Sequence, residues 1–160
     1  MAPLIALLAT YVVARLVFRR RRDRTLPGRL ALSVMLVVTG SAHFTMTDAL
    51  ADMVPPALPA PVLLVYASGI AELVFALLLL VRPTPALGWA LVAFFLALLP
   101  ANIYAAVERV GLGGHGPAYL WFRVPLQLLF IGWAASYTGA ARALVRRLPA
   151  DREPRGRSSA

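Results

Sequence analysis

The chain has 160 residues, 60% of them hydrophobic, a mean hydropathy of +0.74 and a formal charge of +9 carried on arginine alone. A soluble domain is typically about 45–50% apolar, and here the excess lies in long runs, the signature of membrane spans. There is no cysteine, which excludes disulfides, thiol exchange and Cys-ligated metal or iron–sulfur sites. The arginines sit beside apolar runs, chiefly at 19–24 and 142–157, a placement that suits membrane orientation and not a nucleic-acid-binding face.

Five apolar segments are expected. The first, about 3–18, is short for a span, which needs roughly 17–25 residues. Arg15 stands where it can snorkel to the interface. A signal peptide is the rival reading, but the charges follow the apolar stretch and do not precede it, which favours a retained helix. Arg19-Arg20-Arg21-Arg22-Asp23-Arg24 forms a basic loop, and Pro27-Gly28 is expected to break the chain before segment two, about 29–47. Asp48, Asp52, Pro55, Pro56, Pro59 and Pro61 then mark a loop. Segment three, about 61–81, and segment four, about 85–107, are joined by Arg82-Pro83-Thr84-Pro85, a turn short enough to make them antiparallel neighbours. Gly111, Gly113, Gly114 and Gly116 mark a flexible loop before segment five, about 118–140. The charged tail beyond Leu148 is expected to be disordered.

Arginine placement gives an orientation. Five spans with the N-terminus outside put 19–29, Arg82 and the C-terminal arginines in the cytoplasm, and Asp48, Asp52, Glu108 and Arg109 outside. A four-span arrangement without segment one keeps the same sidedness. Tyr104, Tyr119 and Trp121 at outer ends, with Trp89 and Tyr137 at inner ends, suit aromatic belts.

Four segments carry strongly polar side chains. At about 1.5 Å per residue, His43 and Asn102 lie roughly 6–8 Å below the outer surface of the hydrocarbon, and Arg123 at a similar depth. Gln127 is one turn beyond Arg123 on the same face. Glu72 lies about 16 Å deep, within reach of a long arginine side chain. One polar pocket opening to the outer side accommodates all five, with Glu72 and Arg123 as a buried pair. Ionisable groups in hydrocarbon are costly and generally face a bundle interior and one another. The competing explanation is structural: a buried ion pair that fixes helix registry, and a hydrogen-bonded His43 packed through the face that also carries Gly40. Pro100 and Pro125 are expected to kink segments four and five and to free the carbonyls of Leu96 and Trp121. No second ligand is spaced with His43 as a metal motif requires; His115 sits in the glycine-rich loop, and no haem, nucleophile–base or phosphate-loop motif is present.

Five motifs in order carry a resemblance. They are Gly40-Ser41-Ala42-His43-Phe44, Met53-Val54-Pro55, Ser68-Gly69-Ile70-Ala71-Glu72-Leu73, Pro100-Ala101-Asn102-Ile103-Tyr104 and Trp121-Phe122-Arg123-Val124-Pro125-Leu126-Gln127. Together, over about residues 30–138, they resemble the DoxX family of small bacterial membrane proteins. Ala105 departs from the larger residue, often methionine, of that pattern, which bears on pocket shape. The resemblance implies an all-α integral membrane bundle in the bacterial cell membrane: a four-helix DoxX-like core at 28–140, an additional N-terminal transmembrane helix and basic loop at 1–27, and a basic cytoplasmic tail at 141–160. It also implies links, in particular branches, to quinone-coupled sulfur oxidation and oxidative-stress complexes.

The leading functional expectation is an outward-opening polar pocket that binds a quinone or lipid or supports a membrane redox complex. His43, Asn102, Arg123 and Gln127 would hydrogen-bond a carbonyl or headgroup, and Glu72 would set the protonation state. Two alternatives stand beside it. One is a non-enzymatic assembly factor or chaperone, with membrane protein partners, whose polar cluster is structural. The other is a small proton-coupled transporter using Glu72, against which stands the lack of an inverted repeat. No metal, iron–sulfur cluster or nucleic-acid partner is expected.

Overall fold

The computed structural model describes residues 2–108 and 117–140. The glycine-rich connection expected around 109–116, with His115, and the expected tail at 141–160 lie outside the described residues. Among the described residues six helices follow one another: α1 (Ala2–Val17), α2 (Leu26–Thr45), α3 (Thr47–Ala51), α4 (Pro61–Val81), α5 (Pro85–Val107) and α6 (Pro117–Tyr137). The fold is all-α, with no strand among the described residues.

Proline sets most of the starts. Pro61, Pro85 and Pro117 are the first residues of α4, α5 and α6. A helix's first N–H has no intrahelical acceptor, so a residue without one loses nothing there, and its fixed φ is already helical. Thr84 completes the α5 start: its hydroxyl oxygen accepts from the Leu87 amide at 3.1 Å. The same physics corrects one expectation. Pro27-Gly28 does not break the chain ahead of the second segment but lies in the first turn of α2. A second correction concerns the connection after it. Its opening forms the short helix α3, because Thr47–Ala51 holds no proline; the prolines begin at Pro55. Pro100 and Pro125 sit inside continuous helices.

Two close-packed groups make the body: α2 with α1 and α4, and α5 with α6. The antiparallel register of α2 against α4 is read from three contacts. Ser33 donates to the Ala76 carbonyl at 2.8 Å, Gly40 faces Gly69, and His43 faces Val65 and Ser68. Gly40 and Gly69 let the backbones close. A Cβ on Gly69 would stand 2.6 Å from the His43 Cβ, and one on Gly40 would stand 3.1 Å from the Gly69 carbonyl oxygen.

The shared core fills the half of the body nearer the arginines. Leu7, Leu32, Leu36, Leu79 and Leu91 are fully buried there, with Phe95 and Phe130 above them. Leu7 ties α1 into this core. Tyr11 adds an edge-on contact to Trp133, ring centroids 5.1 Å apart, and accepts a 2.8 Å hydrogen bond from the Tyr137 hydroxyl. Trp133 in turn donates to the Gly28 carbonyl at 3.0 Å. Gly28 lies flat against the Tyr137 ring and Gly88 against Thr138, which leaves no room for a side chain at either glycine. The α1 C-terminus, the α2 and α5 N-termini and the α6 C-terminus therefore share one end, with Arg19–Arg24, Arg29 and Arg82.

α4 and α5 are long and apolar enough to cross a membrane, at 21 and 23 residues with mean hydropathies of 2.3 and 2.1. Only 28% of each apolar window is buried, so residues such as Leu63, Ile70 and Leu77 point outward.

Candidate functional site

Away from the arginine end the two groups diverge. Contacts between α4 and α5 are sparse, and a cavity of about 750 Å³ opens between the α2–α4 pair and the α5–α6 pair. Its floor is aromatic: Phe94, Phe95 and Phe130 form a run with centroids 5.9 and 6.2 Å apart. Its roof comes from α3 and the turns after it, through Leu50, Met53 and Leu58. Met53 is buried against Ala105 and Ala106 of α5, so the segment is pinned down. Ala2 and Pro3 of α1 close one side.

His43, Glu72, Asn102, Arg123 and Gln127 all line this one cavity. The closeness of α2 and α4 decides how the first two meet. His43 Nδ1 donates to the Val65 carbonyl at 2.8 Å, and the Ser68 hydroxyl stands 3.0 Å from the same nitrogen while donating to Val65 O at 2.9 Å. A carbonyl only accepts, so the proton is on Nδ1. Nε2 then faces Glu72, 3.7 Å from Oε1, too long for a direct hydrogen bond. The other carboxyl oxygen, Oε2, is buried and has no hydrogen-bond partner among the described residues.

Arg123 enters from α6. One guanidinium nitrogen donates to the Met53 sulfur at 3.4 Å, which ties α6 to the roof. Its charge acts on both Glu72 and His43. His43 reaches the Glu72 carboxyl from the helix that Gly40 and Gly69 bring close. The two amides are anchored through nitrogen. Gln127 Nε2 donates to the Phe95 carbonyl at 2.9 Å, across from α6 to α5, and Asn102 Nδ2 donates to Leu98 O at 3.1 Å, one turn back on α5. In both cases the acceptor is a carbonyl, which fixes which limb is NH₂.

A match to a family model bears on all five positions. The model of a domain of unknown function, DUF8561, matches residues 32–138, about two thirds of the chain. The chain belongs to the DUF8561 family. No curated protein and no solved structure matches it significantly. The DUF8561 segment runs from α2 to the end of α6 and contains every polar residue of the cavity named above, while α1 precedes it.

Three cavity residues of this DUF8561 protein escaped the sequence reasoning as site members. Thr39 and Ser68 lie four residues before His43 and Glu72, so each shares a helix face with an ionisable residue, and that spacing was signal enough. Met53 carries no such signal, because it reaches Arg123 from a connection between helices. Among the described residues no three His, Asp or Glu side chains gather as a metal centre requires.

Proposed function

We propose that this DUF8561 protein is a multi-pass integral membrane protein, DoxX-like in its motifs, whose intramembrane cavity binds a small amphipathic ligand, a lipid or a quinone. The observation that carries the reading is a cavity of about 750 Å³ with an aromatic floor and a polar wall that carries His43, Glu72, Asn102, Arg123 and Gln127. Pockets that are mostly apolar with a few convergent polar groups bind small molecules and orient them through those groups.

Membrane residence is supported by the outward apolar faces of α4 and α5. A helix this apolar in the core of a soluble protein would be largely covered, and these are not. Clustering of Arg19–Arg24, Arg29 and Arg82 at one end supports a cytoplasmic assignment for that end, with the cavity toward the outside and the N-terminus outside.

The test is purification of the full chain in mild detergent followed by native mass spectrometry. A reproducible lipid or quinone adduct supports the reading. Co-purifying protein partners with no small molecule would replace it with an assembly role.

A further inference from the structure

A second concavity lies on the outer face of the body, between α1 and α2. It is a groove of about 340 Å³, walled by Ala9, Val13 and Val17 of α1, by Phe18 just beyond them and by Leu30 of α2. From Ala9 to Phe18 it runs along about 13 Å of helix. None of its lining side chains is charged, and Val13 and Val17 are more than half exposed. At the Phe18 end the Arg21 amide donates to the Phe18 carbonyl at 2.9 Å, which closes a turn there. Arg19–Arg22 therefore follow directly on the last residue of the groove, and all four are exposed. Asp23, the one acid before Asp48, does not neutralise them. Its Oδ1 accepts from the Thr25 amide at 2.9 Å and the Thr25 hydroxyl at 2.7 Å, and its Oδ2 pairs with Arg29. Among the described residues Arg19–Arg22 meet no carboxylate.

Resting on the membrane residence proposed above, we infer that this groove holds an acyl chain of an anionic phospholipid while Arg19–Arg22 bind its phosphate. An apolar strip that runs into four unneutralised positive charges matches a lipid with a net negative head. The planar guanidinium fork takes phosphate oxygens two at a time. A zwitterionic lipid leaves the arginines without net counter-charge. A second copy of the chain fits badly, because in the same bilayer it brings its own arginines to the same depth, and like charges repel. The site is separate from the central cavity, with which it shares no lining residue. It also lies wholly before residue 32, ahead of the segment that matches DUF8561.

The experiment titrates the full chain, stripped of lipid in a neutral detergent, with three probes and reads adduct occupancy by native mass spectrometry. They are dioleoyl-phosphatidylglycerol, dioleoyl-phosphatidylcholine and glycerol phosphate, an anionic head without chains. Phosphatidylglycerol should bind at least about tenfold more tightly than phosphatidylcholine, a ratio that two engaged arginines supply. Glycerol phosphate should bind far more weakly than either lipid. The preference should fall toward parity when Arg19→Gln, Arg20→Gln, Arg21→Gln and Arg22→Gln are combined. It should fall as well in Ala9→Phe, which fills the groove from an exposed position without changing charge. It should persist in Ala101→Phe, which fills the central cavity instead. Equal binding of the two lipids overturns the inference, as does a preference that survives Ala9→Phe or vanishes in Ala101→Phe. Glycerol phosphate binding as tightly as phosphatidylglycerol overturns it too, because the groove then contributes nothing. A chain that stays in solution without detergent removes the membrane reading itself, and the inference with it. Should the arginine variant not insert, the wild-type ranking and Ala9→Phe decide.

Discussion

Gly69→Ala puts one methyl group against the wall that sets the site. The new Cβ would lie 2.6 Å from the His43 Cβ, 3.1 Å from its Cγ and 3.2 Å from the Gly40 carbonyl oxygen. Carbon atoms in contact prefer about 3.5–4.0 Å, so the gap must open by about 1 Å. His43 Cβ is fixed to its backbone and cannot swing aside, so α2 and α4 must separate or His43 must leave the Val65 carbonyl. Overpacking of this kind costs typically 1–3 kcal/mol, against a helix-propensity gain for Gly→Ala of about 1 kcal/mol. Loss of the His43 bond would add about 1 kcal/mol to the cost. The net expectation with that bond lost is a destabilisation of about 1–3 kcal/mol. Gly40→Ala, whose nearest contacts are 3.1–3.2 Å, should cost less. Gly132→Ala is the control: nothing lies within 4 Å of its Cβ, so only the propensity gain remains and stability should rise slightly. Thermal or denaturant unfolding in one detergent orders the four proteins. A Gly69→Ala variant as stable as Gly132→Ala would refute the close approach of α2 and α4, and with it the geometry of His43 and Glu72.

Four further outcomes are expected. Tyr11→Phe removes the acceptor of the Tyr137 hydroxyl and should cost about 0.5–1.5 kcal/mol in unfolding stability if α1 is a built-in part of the body. Reporter fusions after Arg24 and Arg82 and at the C-terminus should report cytoplasm, and those near Asp52 and Gly113 the outside; a cytoplasmic Gly113 would overturn the proposed topology. A double-mutant cycle on His43→Ala and Glu72→Gln should show coupling of about 0.5 kcal/mol or more, and additivity would remove the interaction between them. In the basic loop, the Thr25 hydroxyl bond holds the Asp23 carboxyl below the usual carboxylate range. Its small stabilisation is present at neutral pH and lost as pH falls through that lowered value, so Asp23→Asn should trail the wild type slightly at pH 7 and match it in strong acid.

The helices were largely legible because proline and arginine punctuate them. Pro61, Arg82 and Pro85 bound two apolar runs, and α4 and α5 begin and end where the pattern places them. Reading Pro27 as a break failed because a proline in a first turn and a proline in a linker look alike until the following helix is seen. α3 was hidden by its five-residue length beside a proline-rich stretch. Depth counting brought His43, Asn102 and Arg123 to a similar level with Gln127 one turn and Glu72 further in, and one cavity holds all five. Depth alone does not place His43 beside Glu72. The small residues Gly40 and Gly69 carry that information, since they bring His43 to within 3.7 Å of the carboxyl. Nor does the sequence say which end of an amide faces a cavity. The carbonyls of Phe95 and Leu98 decide it for Gln127 and Asn102. Those bonds give each residue a structural role beside the ligand contact proposed for it. Gln127→Ala should therefore lose about 1 kcal/mol of stability along with a ligand contact, where a purely ligand-facing glutamine would lose only the latter.

Native mass spectrometry of the wild type beside a cavity-filling variant bears most directly on the central claim. Ala101 lines the cavity on α5, one residue before Asn102, and Ala101→Phe would place a ring in the space an occupant needs. Both proteins would be extracted in the same mild detergent, with unfolding midpoints measured on the same preparations. The account predicts a defined small-molecule adduct on the wild type and its loss from a folded Ala101→Phe variant. A wild type with no adduct that the folded Ala101→Phe variant loses would contradict it.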